Sequence, residues 1–340
     1  MRPTAASSKC STDCRSTRSY DVTMLELGLV GCGEVVHRNY AKALVGRSEY
    51  SVRYVHDVDP LQAASAARLF GAETTTLANL IDAANAVIIT TPPSSHAALI
   101  RQCIRPGRTL LCEKPYTTTY AAAVDLASAA SAIGASLYVG HFRRAFPQVS
   151  LARRLVTLGV IGEITKFAAI EGGRFSWPAV SKYTTTDVAG GVLWDTGSHT
   201  LDMALFAAAL DEWTPDNVTV LSAERDKPEP SHTFLSDFVL STNERTVSGR
   251  LHLSRREALP NLIRIVGSGG ELAFTAGLDN KVRLTTSKGT LVLTADRFHE
   301  DLLECFDLQL RRVFLKDGDA DFTAGRFLGQ VKLLEALAHA

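Results

Sequence analysis

Apolar runs of strand length alternate with helical patterns in the first part of the chain. Between residues 25 and 140, alanine- and leucine-rich stretches separate short apolar segments, and this alternation predicts a parallel sheet covered by helices on both faces. The predicted strands are 25–30, 52–56, 86–91, 108–113 and 136–139, and the predicted helices are 61–70, 97–104 and 120–133. The fold class is therefore α/β, with an N-terminal doubly wound domain.

The pattern changes after Pro147. A helix is predicted over 149–158, and β-rich sequence with glycine turns follows it. Residues 247–253 alternate with a period of two, which indicates a strand with one polar face. Two helical patterns, 298–315 and 326–338, close the chain. We expect a disordered tail over 1–23, a dinucleotide-binding domain over 24–146, and a second α/β domain over 147–340 with an antiparallel or mixed sheet.

Composition adds limits on location and partners. The 340 residues hold 36 basic and 36 acidic side chains, so there is no global field to attract nucleic acid or an anionic membrane. No apolar run approaches the ~20 residues of a membrane helix. The six cysteines lack Cys-x-x-Cys spacing, which favours a reducing cytoplasm. Residues 1–23 lack the apolar centre of a secretory signal. Met24 stands just before the first strand, so we expect translation of the natural protein to begin there; a transit peptide over residues 1–23 is the weaker alternative.

A glycine pair after the first predicted strand indicates a nucleotide site. Gly31 and Gly33 precede a helix expected to open at Glu34, so backbone N–H groups and the helix dipole can receive a pyrophosphate. Val36 stands where the third glycine of the fingerprint is usual. Asp57 ends the second strand at the spacing of a ribose-binding acid and would repel a 2′-phosphate, which favours NAD over NADP. The alternatives are a turn or helix-capping role for Asp57, and S-adenosylmethionine as the nucleotide.

Lys114 distinguishes between NAD and S-adenosylmethionine as the bound nucleotide. It follows the apolar run 109–112 in the sequence Glu113-Lys114-Pro115, at the carboxyl end of a buried strand, where open α/β sheets bind ligands. The proline after it favours an extended backbone at Lys114 and fixes the direction of the chain. We expect the ammonium to be aimed at a small molecule.

A second group of polar residues lies in the C-terminal part. Asp195, His199 and Asp202 follow Gly190-Gly191 at i, i+4 and i+7, which places them on one face of a helix. An aspartate one turn from a histidine can orient the ring for acid–base catalysis. A surface ion pair and a metal site are the alternatives. The sequence lacks the Tyr-x-x-x-Lys, His-Glu-x-x-His and P-loop motifs.

In combination, these motifs resemble the glucose-fructose oxidoreductase, inositol dehydrogenase and rhizopine-catabolism (Gfo/Idh/MocA) family. The motifs are Gly31-Cys32-Gly33, Thr91 to His96, Glu113-Lys114-Pro115, Gly159 to Ile164, and Gly190-Gly191 through His199. The resemblance covers residue 25 to about residue 340. It implies a Rossmann domain, a second domain with a large open, mainly antiparallel sheet, and a homodimer or homotetramer. It also implies hydride transfer between nicotinamide and a sugar, cyclitol or related secondary alcohol.

The resemblance assigns roles to individual positions. Lys114 corresponds to a lysine near the reacting oxygen, His199 to the general base, and Asp195 to the acid that holds its ring. The implied cofactor contacts are Gly31, Gly33, Glu34, Val35, Asp57, Thr91, Pro92, His96, Glu113 and Lys114. Substrate contacts are expected from Lys114, Asp195 and His199, with His141, Arg143, Arg144, Arg174, Trp177 and Lys182 as further candidates; ion pairs, or a core position for Trp177, are the alternatives.

Two other functions remain open at this level. A glycosidase that uses tightly bound NAD for transient oxidation and elimination has the same fold, and so has an NAD-binding regulator without catalysis. Lys114, Asp195 and His199 argue against a regulator, because a sensor needs the cofactor pocket without an acid–base set.

Overall fold

The first part of the chain forms a six-stranded parallel sheet. The computed structural model describes residues 24–174, 187, 189–227, 229–315 and 318–340, so the predicted tail lies outside the described residues. The strands are β1 Leu25–Val30, β2 Tyr50–His56, β3 Glu73–Thr74, β4 Ala86–Ile89, β5 Thr109–Glu113 and β6 Ser136–Gly140. Their order, β3-β2-β1-β4-β5-β6, is that of the Rossmann fold, and it confirms the predicted doubly wound domain.

Helices cover this sheet. They are α1 Ala41–Leu44, preceded by a π-helical turn at Val36–Tyr40, α2 Pro60–Phe70, α3 Leu77–Ala83, α4 Pro93–Cys103 and α5 Tyr120–Ala132. Local sequence explains the start of α2, because the Asp59 carboxylate accepts a hydrogen bond from Leu61 N and Pro60 occupies the first turn. Strand β3 and helix α3 were not predicted; both are too short to give a clear periodic pattern.

The second sheet has eight strands. They are β7 Ile164–Gly172, β8 Asn217–Arg225, β9 Thr233–Ser241, β10 Thr246–Ser254, β11 Leu262–Gly267, β12 Gly270–Thr275, β13 Lys281–Thr286 and β14 Gly289–Thr294. The order is β14-β13-β12-β11-β7-β10-β9-β8. Strands β7 and β10 pair in parallel, and every other neighbouring pair is antiparallel. The expected large, mainly antiparallel sheet is confirmed.

One face of this sheet packs on helices. Helix α6 spans Pro147–Thr157, and a π-helical turn at Leu193–Gly197 leads into α7, Ser198–Ala207. All ten residues of α7 are buried, including the polar residues Ser198, His199, Thr200 and Asp202. Phe167, Phe238 and Leu251 lie in the same hydrophobic cluster as the apolar residues of α7. This packing fixes α7 against the second sheet.

The end of the chain returns to the first sheet. Helix α8 spans Leu302–Phe314 and α9 spans Leu328–Ala338. Phe306 of α8 shares a hydrophobic cluster with Leu27 of β1 and makes an edge contact with the Tyr40 ring. The segment after residue 301 thus contributes to the N-terminal core, and the boundary predicted between residues 146 and 147 stays a prediction. No helix in the described part of the chain is both long and apolar enough to cross a bilayer.

Candidate active site

The glycine loop lies where β1 and β4 diverge toward opposite sides of the sheet, the position at which open α/β sheets bind nucleotides. Gly31 has φ +91°, and a Cβ there would lie 2.8 Å from the backbone of Thr90 and Thr91. Thr90 Oγ1 donates a 2.6 Å hydrogen bond to Gly31 O. At Gly33, by contrast, a Cβ would meet no atom within 4 Å. The loop is closely packed at Gly31 and leaves open space at Gly33, which fits the approach of a pyrophosphate.

The helix after this loop opens at Glu34, as the sequence predicts. Glu34 and Val35 are partly exposed, and Glu34 forms an ion pair with Arg38. Val36 is fully buried in the cluster that contains Tyr40, so its larger side chain points into the core and away from the loop. The chain is π-helical from Val36 to Tyr40, a form that often occurs at functional sites.

The Asp57 carboxylate ties the end of β2 to the glycine loop. Asp57 Oδ2 accepts a 2.6 Å hydrogen bond from Cys32 N, and Oδ1 accepts a 2.8 Å bond from Asp59 N. Asp57 therefore also has the alternative role predicted for it, because its carboxylate supports the turn before α2. The residue is partly exposed beside the loop and remains able to accept further hydrogen bonds from a ribose.

The segment from Thr91 to His96, which leads into α4, contains both exposed and buried positions. Thr91 is partly exposed and Pro92 is exposed, so both can contact a cofactor. His96 is fully buried, with Nδ1 2.9 Å from Pro115 O and Nε2 2.7 Å from Thr91 O. Burial lowers the pKa of His96. Both ring nitrogens thus connect the backbone at Thr91 to the turn after Lys114, and a contact of His96 with the cofactor stays a prediction.

Glu113 is directed to the protein interior. Its Oε1 accepts a 2.9 Å hydrogen bond from Tyr40 Oη, and Oε2 accepts a 3.2 Å bond from Lys114 N. Burial raises the pKa of this carboxyl group, against the opposing effects of Lys114 and Tyr40. The side chain therefore supports the backbone at Lys114, and a direct cofactor contact stays a prediction.

Lys114 reaches from the first sheet to the second part of the molecule. Its peptide bond to Pro115 is cis, and its Nζ donates to Asp195 Oδ1 at 2.7 Å and to Asp195 O at 3.1 Å. The Lys114 side chain is 12% exposed. The structure thus brings together two of the three predicted catalytic residues from segments about eighty positions apart in the chain.

His199 lies at the start of α7. Burial lowers its pKa well below the ordinary value, and the positive charges of Lys114 and Arg143 lower it further. The ring makes edge contacts with His141 and Phe142, and its buried Nδ1 has no hydrogen-bond partner within the described structure. His199 is therefore neutral near neutral pH and can accept a proton.

Asp195 does not hold the His199 ring, so this predicted role is wrong. Both carboxylate oxygens are bound to cations. Oδ1 accepts a 2.7 Å hydrogen bond from Lys114 Nζ, and Oδ2 accepts a 2.6 Å bond from Arg255 Nη2. Charged donors bind a carboxylate more strongly than a neutral imidazole does. Although burial opposes ionisation, Lys114 and Arg255 lower the pKa of Asp195 to about 2.

Two further substrate candidates are buried. The Arg144 side chain has no exposed surface; its Nη2 lies 2.5 Å from Asp202 Oδ1 and its Nη1 3.4 Å from Asp211 Oδ2. His141 is 1% exposed and stacks on Phe327. Both side chains are buried within the described structure, and a substrate contact by Arg144 or His141 stays a prediction. Asp202, predicted on the catalytic face, is the buried partner of Arg144.

Arg143 stays a substrate candidate. Its Nη1 lies 2.7 Å from Glu171 Oε2, its side chain is 19% exposed, and its charge acts on His199. Arg174 is exposed, with no described contact to the catalytic residues. Trp177 and Lys182 lie outside the described residues.

Arg255 is the site residue that the sequence analysis missed. It follows β10 in an ordinary run of polar residues, Ser254 to Glu257, with no motif to mark it. Only the fold places its guanidinium against Asp195.

The assembled site combines an ammonium, an ionised carboxylate and a neutral imidazole beside an open glycine loop. This set can stabilise negative charge on an oxygen and accept a proton from it. Among the described residues, no cluster of three or more His, Cys, Asp or Glu side chains could hold a metal ion.

Comparison with known families covers both parts of the chain. Residues 25–141 match the model of an oxidoreductase family with an NAD-binding Rossmann fold, GFO_IDH_MocA. Residues 149–273 match the GFO/IDH/MocA C-terminal domain.

Individual relatives agree with these matches. Inositol 2-dehydrogenase of Rhizobium meliloti (strain 1021) is 31% identical over 202 residues, which are 58% of each chain, so less than two thirds of that enzyme is matched. A 3-ketoreductase from Actinomadura kijaniata, solved with NADP and TDP-benzene, has a TM-score of 0.73 at 22% identity, covering 92% of this chain and 97% of that one. An oxidoreductase from Agrobacterium radiobacter, solved with NAD+, L-tartaric acid and magnesium, has a TM-score of 0.74 at 19% identity, covering 92% and 95%.

Proposed function

Because the chain belongs to the GFO/IDH/MocA family of oxidoreductases, we propose that it transfers a hydride between NAD and a secondary alcohol or ketone of a sugar, cyclitol or related polyol. The observation that carries this proposal is the contact between Lys114 Nζ and Asp195 Oδ1. It joins the carboxyl end of a Rossmann strand to the turn that precedes His199, which supports a site in which acid–base groups act next to the proposed nucleotide loop.

Side chains of the protein transfer the proton and stabilise the negative charge on the substrate oxygen. His199, neutral in the folded protein, takes the hydroxyl proton directly or through water, and in the reverse direction returns it. Lys114 donates a hydrogen bond to the same oxygen as negative charge develops there. Asp195 keeps the ammonium directed at this position. The nicotinamide, when bound, supplies the hydride acceptor or donor.

The glycine loop is the proposed cofactor site. Gly31, Gly33, Glu34 and Val35 offer backbone groups to the pyrophosphate, and Asp57 offers its carboxylate to the ribose hydroxyls. Thr91, Pro92 and Lys114 border the nicotinamide end. The carboxylate supports NAD over NADP, although structural relatives were solved with either cofactor.

Relatives support a sugar or polyol as substrate. Their names include inositol 2-dehydrogenase and dTDP-3,4-didehydro-2,6-dideoxy-alpha-D-glucose 3-reductase. We assign substrate contacts to Lys114, Asp195, His199 and Arg143. The Arg143 guanidinium pairs with Glu171 through Nη1, and its other N–H groups can donate to hydroxyls.

Assembly and location belong to the same proposal. We propose a homodimer or homotetramer, the assembly that the resemblance to the family implies. A reducing cytoplasm fits the four described cysteines, all free and buried: Cys32, Cys103, Cys112 and Cys305.

The activity test uses NAD reduction by a panel of inositols, aldoses and uronates. We expect turnover by the wild-type protein, and a decrease of roughly 10²–10⁴-fold in kcat/KM for Lys114→Ala and for His199→Ala. Lys42→Ala, an exposed lysine on α1, is the matched control and should retain full activity. Unchanged turnover in both site variants would contradict the mechanism.

A further inference from the structure

Arg255 contacts both ends of the turn that carries Asp195. Its Nη1 donates to Gly190 O at 3.0 Å, and its Nη2 donates to Asp195 Oδ2 at 2.6 Å. The side chain is 3% exposed, so these bonds form away from water. A buried, charge-assisted pair of bonds from one planar group fixes the distance and the angle between its two acceptors.

The turn that carries Asp195 requires a contact that fixes its conformation. It begins with Gly190-Gly191, which leave the backbone conformationally free, and continues into the π-helical turn that holds Asp195. Backbone bonds from Val192 N to Ser231 O and from Asp195 N to Gly191 O hold the main chain. Neither of them fixes the Asp195 carboxylate; without Arg255 the described contact left to its oxygens is the one from the flexible Lys114 side chain.

We propose that Arg255 is a positioning residue that sets the reactive orientation of Lys114 through Asp195. With Oδ2 held by the guanidinium, Oδ1 faces the Lys114 ammonium at 2.7 Å. The Arg255 guanidinium also neutralises part of the negative charge of the Asp195 carboxylate. The Lys114 ammonium can therefore donate a hydrogen bond to a substrate oxygen. The inference rests on the proposed hydride transfer for its kinetic consequences, but its geometric content is independent of that function.

The kinetic test is a double-mutant cycle with the substrate found in the panel. Arg255→Met should lower kcat roughly 10- to 100-fold, because a small misplacement of a catalytic group has such an effect. The KM of the substrate and the affinity for NAD, measured by calorimetry, should change less than about 3-fold, and Arg255→Lys should recover part of kcat. In an Asp195→Asn background, Arg255→Met should have little further effect.

The matched control is the neighbouring Arg256, whose side chain is 56% exposed and pairs with Asp226 at 3.0 Å. Arg256→Met should leave kcat unchanged. Effects of Arg255→Met and Asp195→Asn that multiply independently would overturn the proposal, as would a loss confined to KM.

A crystal structure of the Arg255→Met protein tests the geometry without any turnover. We expect the Asp195 carboxylate to rotate and the Lys114 ammonium to move from its wild-type position. Retention of the wild-type arrangement of both side chains would overturn the inference. If the wild-type protein oxidises no compound in the panel, the proposed function fails, and this structure alone decides the role of Arg255.

Discussion

The imidazole of His199 is kept neutral by its surroundings. Burial lowers its pKa, and the charges of Lys114 and Arg143 act in the same direction. A neutral ring is what a general base requires, whereas an imidazolium beside Lys114 would add a second positive charge. At the residue scale, the site is therefore built so that the cations Lys114 and Arg255, the ionised Asp195 and the neutral His199 coexist near neutral pH.

The pH profile tests this state of His199. Activity that depends on the neutral ring should persist below the ordinary histidine pKa of about 6.5, and the acidic limb of kcat/KM should lie under that value. Replacing Arg143 by Gln removes a charge that lowers the pKa of His199, so the limb should move to higher pH. Steady-state kinetics across pH measure both effects; a limb above pH 6.5 in the wild-type protein would contradict them.

Asp57 provides a test of cofactor choice. We expect the wild-type protein to bind NAD about tenfold or more tightly than NADP, a difference of about 1.4 kcal/mol, because a carboxylate repels the 2′-phosphate. Asp57→Ala should remove this preference. Asp59→Ala is the matched control, since Asp59 caps α2 and should not change the ratio of affinities. Titrations of both cofactors decide the matter, and equal wild-type affinities would refute the preference.

At the scale of elements, two turns of the candidate site have a similar construction. In each, a pair of glycines precedes a π-helical turn, Val36–Tyr40 in the first case and Leu193–Gly197 in the second. The surroundings of the glycines differ, because Gly33 leaves open space whereas Gly191 is buried and a Cβ there would lie 3.3 Å from Ser231 N. In both, the π-helical turn leads into a largely buried helix.

The glycine loop can be tested by two alanine substitutions. Gly31→Ala should destabilise the protein by ~1–3 kcal/mol or more, because φ is +91° and a Cβ would strike the Thr90 and Thr91 backbone. Gly33→Ala has free space for its methyl group, so its melting temperature should match the wild type. Its NAD affinity should nevertheless fall, since the methyl group occupies the place of the pyrophosphate. Wild-type NAD affinity in Gly33→Ala would argue against this cofactor position.

Sequence patterns predicted most of these elements, for identifiable reasons. The apolar run before Lys114 and the spacing from Gly31 to Asp57 depend on neighbours in sequence, and both led to the correct strand ends. The partners of Asp195 depend on tertiary contacts instead. Asp195 and His199 have helical spacing, but cations from β5 and from the segment after β10 bind the carboxylate. For the same reason, no local sequence pattern indicated that Arg255 belongs to the site or that Arg144 is buried.

On the scale of the whole molecule, a buried ionic network connects the two sheets. Arg144, just after β6, binds Asp202 of α7 and the carbonyl of Asp321, and its guanidinium stacks over Phe327 at 4.0 Å. A buried ion pair is a weak source of stability but fixes relative geometry. Asp202 also lies 3.6 Å from His141 Nδ1, and the His141 ring contacts that of His199, so the network connects the end of β6 with the start of α7.

Buried neutral histidines make the whole fold sensitive to acid. The pKa of His199 is below its ordinary value, so the unfolded chain binds protons as pH falls through about 6.5 while the folded protein does not. Stability is complete above this pH and is lost as pH falls toward the folded-state pKa. Between about pH 7.5 and 5.5, we expect the wild-type free energy of unfolding to fall by roughly 1 kcal/mol more than that of His199→Gln. Urea titrations measure the difference; equal losses would contradict it.

Direct transfer of hydrogen to the cofactor tests the central claim most closely. The substrate identified by the panel is prepared with deuterium on the carbon that bears the reacting hydroxyl, and the NADH formed is analysed by mass spectrometry. The proposed function predicts net NADH in amounts equal to the ketone product, with the deuterium in the NADH. Release of a sugar or ketone without net NADH, or NADH without deuterium, would contradict it.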